Sequence, residues 1–278
     1  MLKQRIITAL VLVALLLPAL FASTAEPLAG LTLVLIAAGA WEWGRLNGLG
    51  MRGALRTGAA CLLLCLVFWA NRLAYQANEI LWCVAGAAWV LVGAQLMRGG
   101  VEAWVHISRA LRLVLGVAAL SLTWLAMYQA KVMGANFLLS ILLLVWMADV
   151  AAYFCGRAFG RRKLAIHISP GKSWEGVWGG MAGVVLLAFV WLYVEQQFDL
   201  GSLSLFARLS ARGWGLLVVG ALFLVSMSVV GDLVESLVKR SAGMKDSSQL
   251  LPGHGGVLDR VDALLPTLPL ALMLVQAV

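Results

Sequence analysis

Long apolar runs alternate with short charged segments along the whole chain of 278 residues. Nine of these runs approach or reach the roughly 20 residues that a helix needs to cross a bilayer. They cover residues 6–22, 27–43, 55–70, 80–97, 111–128, 137–156, 174–194, 214–230 and 263–278. The pattern predicts an all-α, polytopic integral membrane protein with about nine transmembrane helices.

The first apolar run follows a short basic start at residues 1–5 and ends in the small residues 22–25. Such an arrangement also resembles a cleavable signal peptide. Because many further spans follow, we expect the first run to remain in the protein as an uncleaved helix.

The distribution of Lys and Arg predicts the orientation of the spans. If the N-terminus is cytoplasmic, 17 of the 21 basic residues fall in cytoplasmic segments and 4 on the other side. Cytoplasmic loops carry an excess of Lys and Arg. We therefore expect a cytoplasmic N-terminus, N-terminal transmembrane helices in residues 1–130, and a catalytic transmembrane region with cytoplasmic loops in residues 131–278.

Composition excludes a soluble domain, since 62% of residues are hydrophobic and 12% are charged, against about 25% charged in soluble proteins. The formal net charge of +8 is attributed to basic loops beside anionic lipid headgroups, not to nucleic acid. The four cysteines lie in apolar runs without metal-site spacing, so we expect them to be structural.

The densest charge lies in residues 231–262, which hold five of the thirteen acids. Helical spacing places Asp232, Glu235, Ser236 and Lys239 on one face, with Arg240 close to it. An ionisable side chain at the end of a membrane span normally faces a partner or a wet cavity. The alternative is an internal ion pair between Asp232 and Lys239 or Arg240.

Two features follow in the same segment. The Pro-Gly-His-Gly-Gly turn at 252–256 has the glycines of loops that cradle phosphate, with His254 as a donor, although a glycine turn is also a simple connector. Asp259 and Asp262 are predicted to share a face at the start of the last span, where a helix dipole alone also favours acids. Together with Asp232 they would form an oxygen-rich site for Mg²⁺ or Mn²⁺.

Asp149 interrupts the sixth span shortly before its cytoplasmic end. It is a candidate for the same site, with hydrogen bonding between helices as the alternative. In the following loop, Ser173 is predicted to cap the seventh span, with Glu175 in its first turn. Lys172 is placed to reach a phosphate.

Residues 236–262 resemble the C-terminal signature of the phosphatidate cytidylyltransferase (CDP-diacylglycerol synthase) family. Thirteen positions carry the resemblance: Ser236, Lys239, Arg240, Lys245, Asp246, Ser248, Pro252, His254, Gly255, Gly256, Asp259, Arg260 and Asp262. The segments 149–157 and 169–176 are also similar to the family. Two positions depart from its pattern: Val150 stands where a hydroxyl residue is common, and Gly171 where a second lysine is common.

The resemblance implies a nucleotidyltransferase that converts CTP and phosphatidate to CDP-diacylglycerol and pyrophosphate with Mg²⁺, at the cytoplasmic face of a bacterial inner membrane. The implied catalytic residues are Asp232, Lys239, Arg240, Asp246, His254, Asp259, Arg260 and Asp262. The implied substrate-binding residues are Lys172, Ser173, Ser236, Lys239, Arg240, Lys245, His254, Gly255, Gly256 and Arg260. The implied metal ligands are Asp232, Asp259 and Asp262, followed by Asp246 and Asp149. A homodimer is implied by family analogy alone.

Other classes remain open at this point. A transporter or channel would explain Asp149 and Asp232 as ion sites, but not the concentration of acids and bases in one loop. A related membrane enzyme acting on another lipid phosphate, or a CTP-dependent lipid kinase, would explain the loop equally well. A structural scaffold would not need this charge.

Overall fold

The computed structural model describes residues 2–76 and 78–276, and these are mostly helical. The predicted basic start includes residue 1, and the predicted last span includes residues 277–278; these residues lie outside the described ones. The helices are α1 (Leu2–Phe21), α2 (Glu26–Leu46), α3 (Met51–Ala70), α4 (Glu79–His106), α5 (Arg109–Met133), α6 (Ala135–Phe159), α7 (Trp174–Gln197), α8 (Leu205–Ser210), α9 (Trp214–Ser241), α10 (Leu258–Val261) and α11 (Leu264–Gln276). A 3-10 turn (Leu73–Tyr75) and the strands β1 (Lys163–Ala165) and β2 (Ser169–Ser173) complete the order.

Seven of these helices, α2 to α7 and α9, are long and apolar enough to cross a membrane. They agree with an all-α, polytopic membrane protein. Two predicted spans are shorter. The apolar part of α1 is Ile6–Phe21, and α11 has 13 residues. The count of nine spans and the cytoplasmic N-terminus therefore stay predictions.

Helix α9 runs for 28 residues and continues well past residue 230, where the apolar pattern ends. Asp232, Glu235 and Lys239 all lie within it. The helix continues because these side chains face other charged groups of the protein, described below, instead of lipid. The expected helical face of Asp232, Glu235, Ser236 and Lys239 is therefore part of one uninterrupted helix.

The last predicted span begins one residue before α11, but the expected placement of Asp259 and Asp262 at the start of that helix is wrong. Residues 258–261 form the separate short helix α10, and α11 begins only at Leu264. Pro266 then occupies the first turn of α11, where its missing N–H leaves no hydrogen bond unmade. Asp259 and Asp262 consequently belong to a connecting segment between α9 and α11, and they face different partners.

A small antiparallel hairpin that the apolar pattern did not predict joins α6 to α7. Lys163 pairs with Ser173 and Ala165 with Ser169, with an irregularity between the two pairs. Strand β2 leads directly into α7 through Ser173, whose hydroxyl accepts from the amide of Gly176 at 3.2 Å. The prediction that Ser173 caps this helix is confirmed.

Helices α6 and α7 approach each other closely through small residues. A Cβ on Gly176 would lie 2.9 Å from the carbonyl oxygen of Ala152, and one on Gly180 would lie 2.9 Å from that of Ala148. Small residues allow membrane helices to pack backbone against backbone. The contact places Asp149 of α6 beside the end of the hairpin and the start of α7.

The basic connecting segments gather at one end of the bundle. Trp43, near the end of α2, donates its indole N–H to the carbonyl of Arg112 at the start of α5, at 3.0 Å. Arg240, at the end of α9, donates to the carbonyl of Ile168 in the hairpin at 3.3 Å. Ser247, after α9, also donates to Glu42 near the end of α2, so the end of α2, the α4–α5 connection, the hairpin and the segment after α9 share this end.

Candidate active site

A pocket between α6, the hairpin and α9 contains the first group of charged residues. Asp149, Lys172 and Asp232 line it together with Ser173, and its volume is about 360 Å³. The ammonium of Lys172 lies 2.6 Å from Oδ2 of Asp232. The internal pair of Asp232 with Lys239 or Arg240, left open by the sequence, is not the arrangement found in the described residues.

Ser236 and Asp262 extend this group along α9. The hydroxyl of Ser236 donates to Oδ1 of Asp232 at 3.3 Å, one helical turn away. Asp262 is brought close by Gly231, since a Cβ there would lie 2.5 Å from the carbonyl oxygen of Asp262. Burial, with the neighbouring charge of Asp232, raises the pKa of Asp262 to about 7. The acid is thus held where its ionised form is disfavoured unless a cation compensates.

A second charged group lies further along the same face of α9. The ammonium of Lys239 is 2.5 Å from Oε2 of Glu235 and 2.6 Å from Oδ1 of Asp259. The side chains of Lys239, Glu235 and Asp259 are only 11%, 2% and 10% exposed. Lys239 therefore contacts two buried acids at once and ties α9 to α10.

Asp259 has further protein donors around both oxygens. Its Oδ2 accepts from the amides of Gly256 at 2.7 Å and Ser247 at 3.0 Å, and from the Ser247 hydroxyl at 2.9 Å. Burial alone would raise the pKa of Asp259, but the hydrogen bond from Lys239 and these amides outweigh it and keep the pKa below its usual value. The carboxylate thus organises the loop before α10; its predicted role as a metal ligand stays a prediction.

The glycine-rich turn is built by backbone hydrogen bonds. Leu251 and Gly255 form a bridge, with the amide of Leu251 donating to the carbonyl of Gly255 at 2.9 Å. Gly253 and Gly255 have φ values of 77° and 85°, a left-handed conformation that glycine adopts without strain. Arg260 donates from Nε to the carbonyl of His254 at 3.0 Å, and also from a terminal nitrogen. The predicted phosphate donors, His254 in the turn and Arg260 in α10, therefore lie side by side.

Lys245 and Asp246 line a third region, a pocket of about 460 Å³. Arg45, from the end of α2, contributes to the same pocket. The pocket presents two basic groups and one acid at the end of the bundle where the other groups lie. Arg45 was not among the predicted site residues, although its position in a basic loop was a usable signal.

One acid of the site was missed altogether. Glu42, near the end of the second apolar run, is 0% exposed and accepts hydrogen bonds from Ser247, Ser248, Val257 and Leu258. The signal existed in the sequence, since a lone carboxylate in an apolar run is a functional candidate by the criterion applied to Asp149.

The acids of the first group fit a hard divalent cation by donor chemistry. Asp149, Asp232 and Asp262 offer only carboxylate oxygens, the ligands that Mg²⁺ takes. As the side chains stand, the described residues contain no cluster of three or more His, Cys, Asp or Glu placed to hold a metal. Lys172 takes up Oδ2 of Asp232, so a cation at this position requires the lysine to turn away.

The sequence is similar to a known protein family and to several bacterial proteins. Residues 3–278 match the model of a family described as "Cytidylyltransferase family". The chain is 38% identical over 279 residues to a phosphatidate cytidylyltransferase of Pseudomonas aeruginosa, covering 100% of this chain and 98% of that protein. It is 49% identical over 136 residues to the enzyme of that name from Haemophilus influenzae, which is 49% of this chain and 44% of that protein. A Staphylococcus epidermidis protein of the same name is 37% identical over 164 residues, 59% of this chain and 58% of that protein.

Proposed function

The chain belongs to the cytidylyltransferase family, and we propose that it transfers the cytidylyl group of CTP to phosphatidate in a bacterial inner membrane. An oxygen of the phosphatidate phosphate attacks the α-phosphorus of CTP and forms a new P–O bond. The bond from that phosphorus to the bridging oxygen breaks, and pyrophosphate leaves. The products are CDP-diacylglycerol, which enters phospholipid biosynthesis, and pyrophosphate.

The observation that carries this proposal is the pairing of Lys172 with Asp232. Their charged atoms are 2.6 Å apart although they lie in different elements, the hairpin and α9. Asp149 lines the same pocket from α6. Three separate stretches of sequence thus contribute charged groups to one cavity, as a reaction between two phosphorylated substrates requires.

The chemistry asks mainly for positioning and charge neutralisation. The attacking oxygen is already ionised at neutral pH, so little base catalysis is needed, and bringing two polyanions together is the main barrier. Lys172 and Arg157 are the cations that line the pocket, and Lys172, which is paired with Asp232, can exchange that carboxylate for a phosphate oxygen. We place phosphatidate here, with its headgroup at Lys172 and Asp149 and its acyl chains between the helices.

The triphosphate of CTP is placed at the neighbouring basic pocket. Lys245 and Arg45 line it, and the exposed turn with His254 and Arg260 lies in the same loop. Asp149, Asp232 and Asp262 would hold Mg²⁺, which would neutralise phosphate charge where the two substrates meet. The exposed guanidinium groups supply further charge toward the leaving pyrophosphate.

The basic end of the bundle supports the proposed orientation of the protein. Seventeen of 21 basic residues fall in segments predicted to be cytoplasmic, and hydrogen bonds of Trp43, Arg240 and Glu42 connect four of these segments. This supports nine crossings with a cytoplasmic N-terminus. CTP is a cytoplasmic nucleotide, so the site would face its source.

The reaction is tested with purified protein in detergent, labelled CTP and phosphatidate, with Mg²⁺ present or chelated. We expect CDP-diacylglycerol only when both substrates and the divalent cation are present. Replacing phosphatidate with diacylglycerol, which has no phosphate nucleophile, is the matched control and distinguishes a lipid kinase. Turnover without a divalent cation would contradict the metal assignment, and no turnover under any of these conditions would contradict the reaction.

A further inference from the structure

Glu42 is a buried carboxylate without a basic partner. It lies on α2 with 0% of its surface exposed. None of the ion pairs within residues 2–76 and 78–276 involves it. Burying a carboxylate without a cation is unfavourable unless hydrogen bonds replace its water. The structure supplies four donors.

All four donors come from one segment, residues 247–258. Oε2 accepts from the amide of Leu258 at 2.8 Å and from the hydroxyl of Ser247 at 3.2 Å. Oε1 accepts from the amide of Val257 at 2.9 Å and from the hydroxyl of Ser248. The partners lie 205 to 216 residues from Glu42 in the chain. Glu42 thus clamps both ends of the segment that contains the glycine-rich turn.

The carboxylate of Glu42 also caps the N-terminal end of α10. The side chain of Val257, which precedes that helix, makes no capping hydrogen bond. The first amides of a helix have no partner within it, and here the carboxylate of Glu42 accepts from those of Val257 and Leu258. Gly256 permits the approach, since a Cβ there would collide with Oε1 of Glu42 and with the Ser247 hydroxyl.

Ser247 links this clamp to the charged groups of the site. Its hydroxyl lies 3.2 Å from Oε2 of Glu42 and 2.9 Å from Oδ2 of Asp259. A hydroxyl has one hydrogen, so the two carboxylates share it. Asp259 in turn holds Lys239 at 2.6 Å. A contiguous set of contacts therefore runs from α2 to α9 through the loop.

We propose that Glu42 is a positioning residue for the reaction. It acts through the loop at 247–258, which it holds against α2 so that Asp259, Lys239 and the exposed turn keep their places. This assignment rests on the proposed function for its catalytic consequence, whereas the anchoring itself does not. The N-terminal part of the chain thereby contributes directly to the site.

The test substitutes Glu42→Gln, which keeps the size of the side chain but turns one acceptor oxygen into a donor facing other donors. We expect kcat per folded molecule to fall about 100-fold, the loss that a displacement of about 1 Å produces at a reacting centre. The KM for phosphatidate should stay close to wild type, whereas the thermal unfolding midpoint should fall, because a buried donor then faces other donors. A purely structural role would lower the midpoint but leave kcat per folded molecule unchanged, which would overturn the proposal.

Two further variants keep the test informative if Glu42→Gln does not fold. Ser248→Ala removes one hydroxyl donor and keeps both amide bonds, and we expect a smaller fall of kcat in the same direction; unchanged kcat would overturn the proposal. Glu102→Gln is the control for removing an acid, because Glu102 is exposed near the end of α4, and its kcat should match wild type.

Amide hydrogen exchange without substrates separates this inference from the proposed function. In Glu42→Gln, the amides of Val257 and Leu258 should exchange faster than in wild type, and those of α6 should not change. Equal exchange at 257–258 would overturn the anchor even if wild type makes CDP-diacylglycerol. Faster exchange with an inactive wild type would support the anchor and contradict the proposed function.

Discussion

Substituting Gly231→Ala tests whether the distance between α9 and the segment before α11 governs the site. A Cβ at residue 231 would lie 2.5 Å from the carbonyl oxygen of Asp262 and 2.7 Å from Cδ of Pro266. Both neighbours are parts of the backbone or of a rigid ring, so neither can rotate away. An ordinary contact begins near 3.4 Å, so the segment must move by roughly 1 Å.

This displacement has two measurable consequences. Forcing an extra methyl group into a packed interior costs about 1–3 kcal/mol of stability. Asp262 would also move relative to Asp232, and a displacement of about 1 Å at a reacting centre lowers turnover about 100-fold. The assay measures kcat for CDP-diacylglycerol formation and the thermal unfolding midpoint in detergent.

Gly215→Ala is the matched control on the same helix. A Cβ there meets nothing within 4 Å, so the substitution adds only the better helix propensity of alanine, about 0.5–1 kcal/mol. We expect kcat of this variant to equal wild type. Gly231→Ala with wild-type kcat and stability would refute the spacing argument, as would an equal loss in both variants.

Three further substitutions probe the charged groups. Lys239→Met leaves Glu235 and Asp259 buried without their shared cation, and we expect a loss of about 3–5 kcal/mol of stability, measured by denaturation against the exposed control Lys245→Met. Asp232→Asn should abolish turnover while the unfolding midpoint stays near wild type, because its pair with Lys172 is partly exposed; retained turnover would remove Asp232 from the proposed site. Asp259→Asn should lower both turnover and the unfolding midpoint, since its oxygens hold Lys239 and the amides of the loop; an unchanged midpoint would contradict its role in organising the loop.

The hydrophobic pattern was sufficient to predict the seven long apolar helices, because a bilayer demands long apolar segments. The pattern placed the end of α9 too early, because charged residues lie inside this helix. Asp232 and Glu235 ended the apolar run, yet α9 continues to Ser241, since tertiary ion pairs replace the lost contact with lipid. The break before α11 had a local signal in Pro266, which suits the first turn of a new helix.

The partners of the acids could not be predicted from spacing. Lys172 meets Asp232, and Lys239 meets Asp259 as well as its helical neighbour Glu235. Only the pair of Lys239 with Glu235 follows from the helical repeat. Glu42 shows the same limit more strongly, because every donor to it lies more than 200 residues away in the chain.

The two lysines divide the acids in a way that bears on the metal requirement. Lys239 balances one of the two acids in its group, whereas three acids lie near Lys172: Asp149, Asp232 and Asp262. Arg157 also lines this pocket, so the first group carries a formal excess of one negative charge beside the place proposed for two phosphorylated substrates. At an effective dielectric constant of about 20, two like charges 4 Å apart repel by about 4 kcal/mol, so further anions would be excluded. A divalent cation would offset this excess and leave positive charge for a phosphate, whereas Asp259 already has protein donors at both oxygens. Charge balance therefore favours the three acids near Lys172 over Asp259 as the proposed ligands of Mg²⁺.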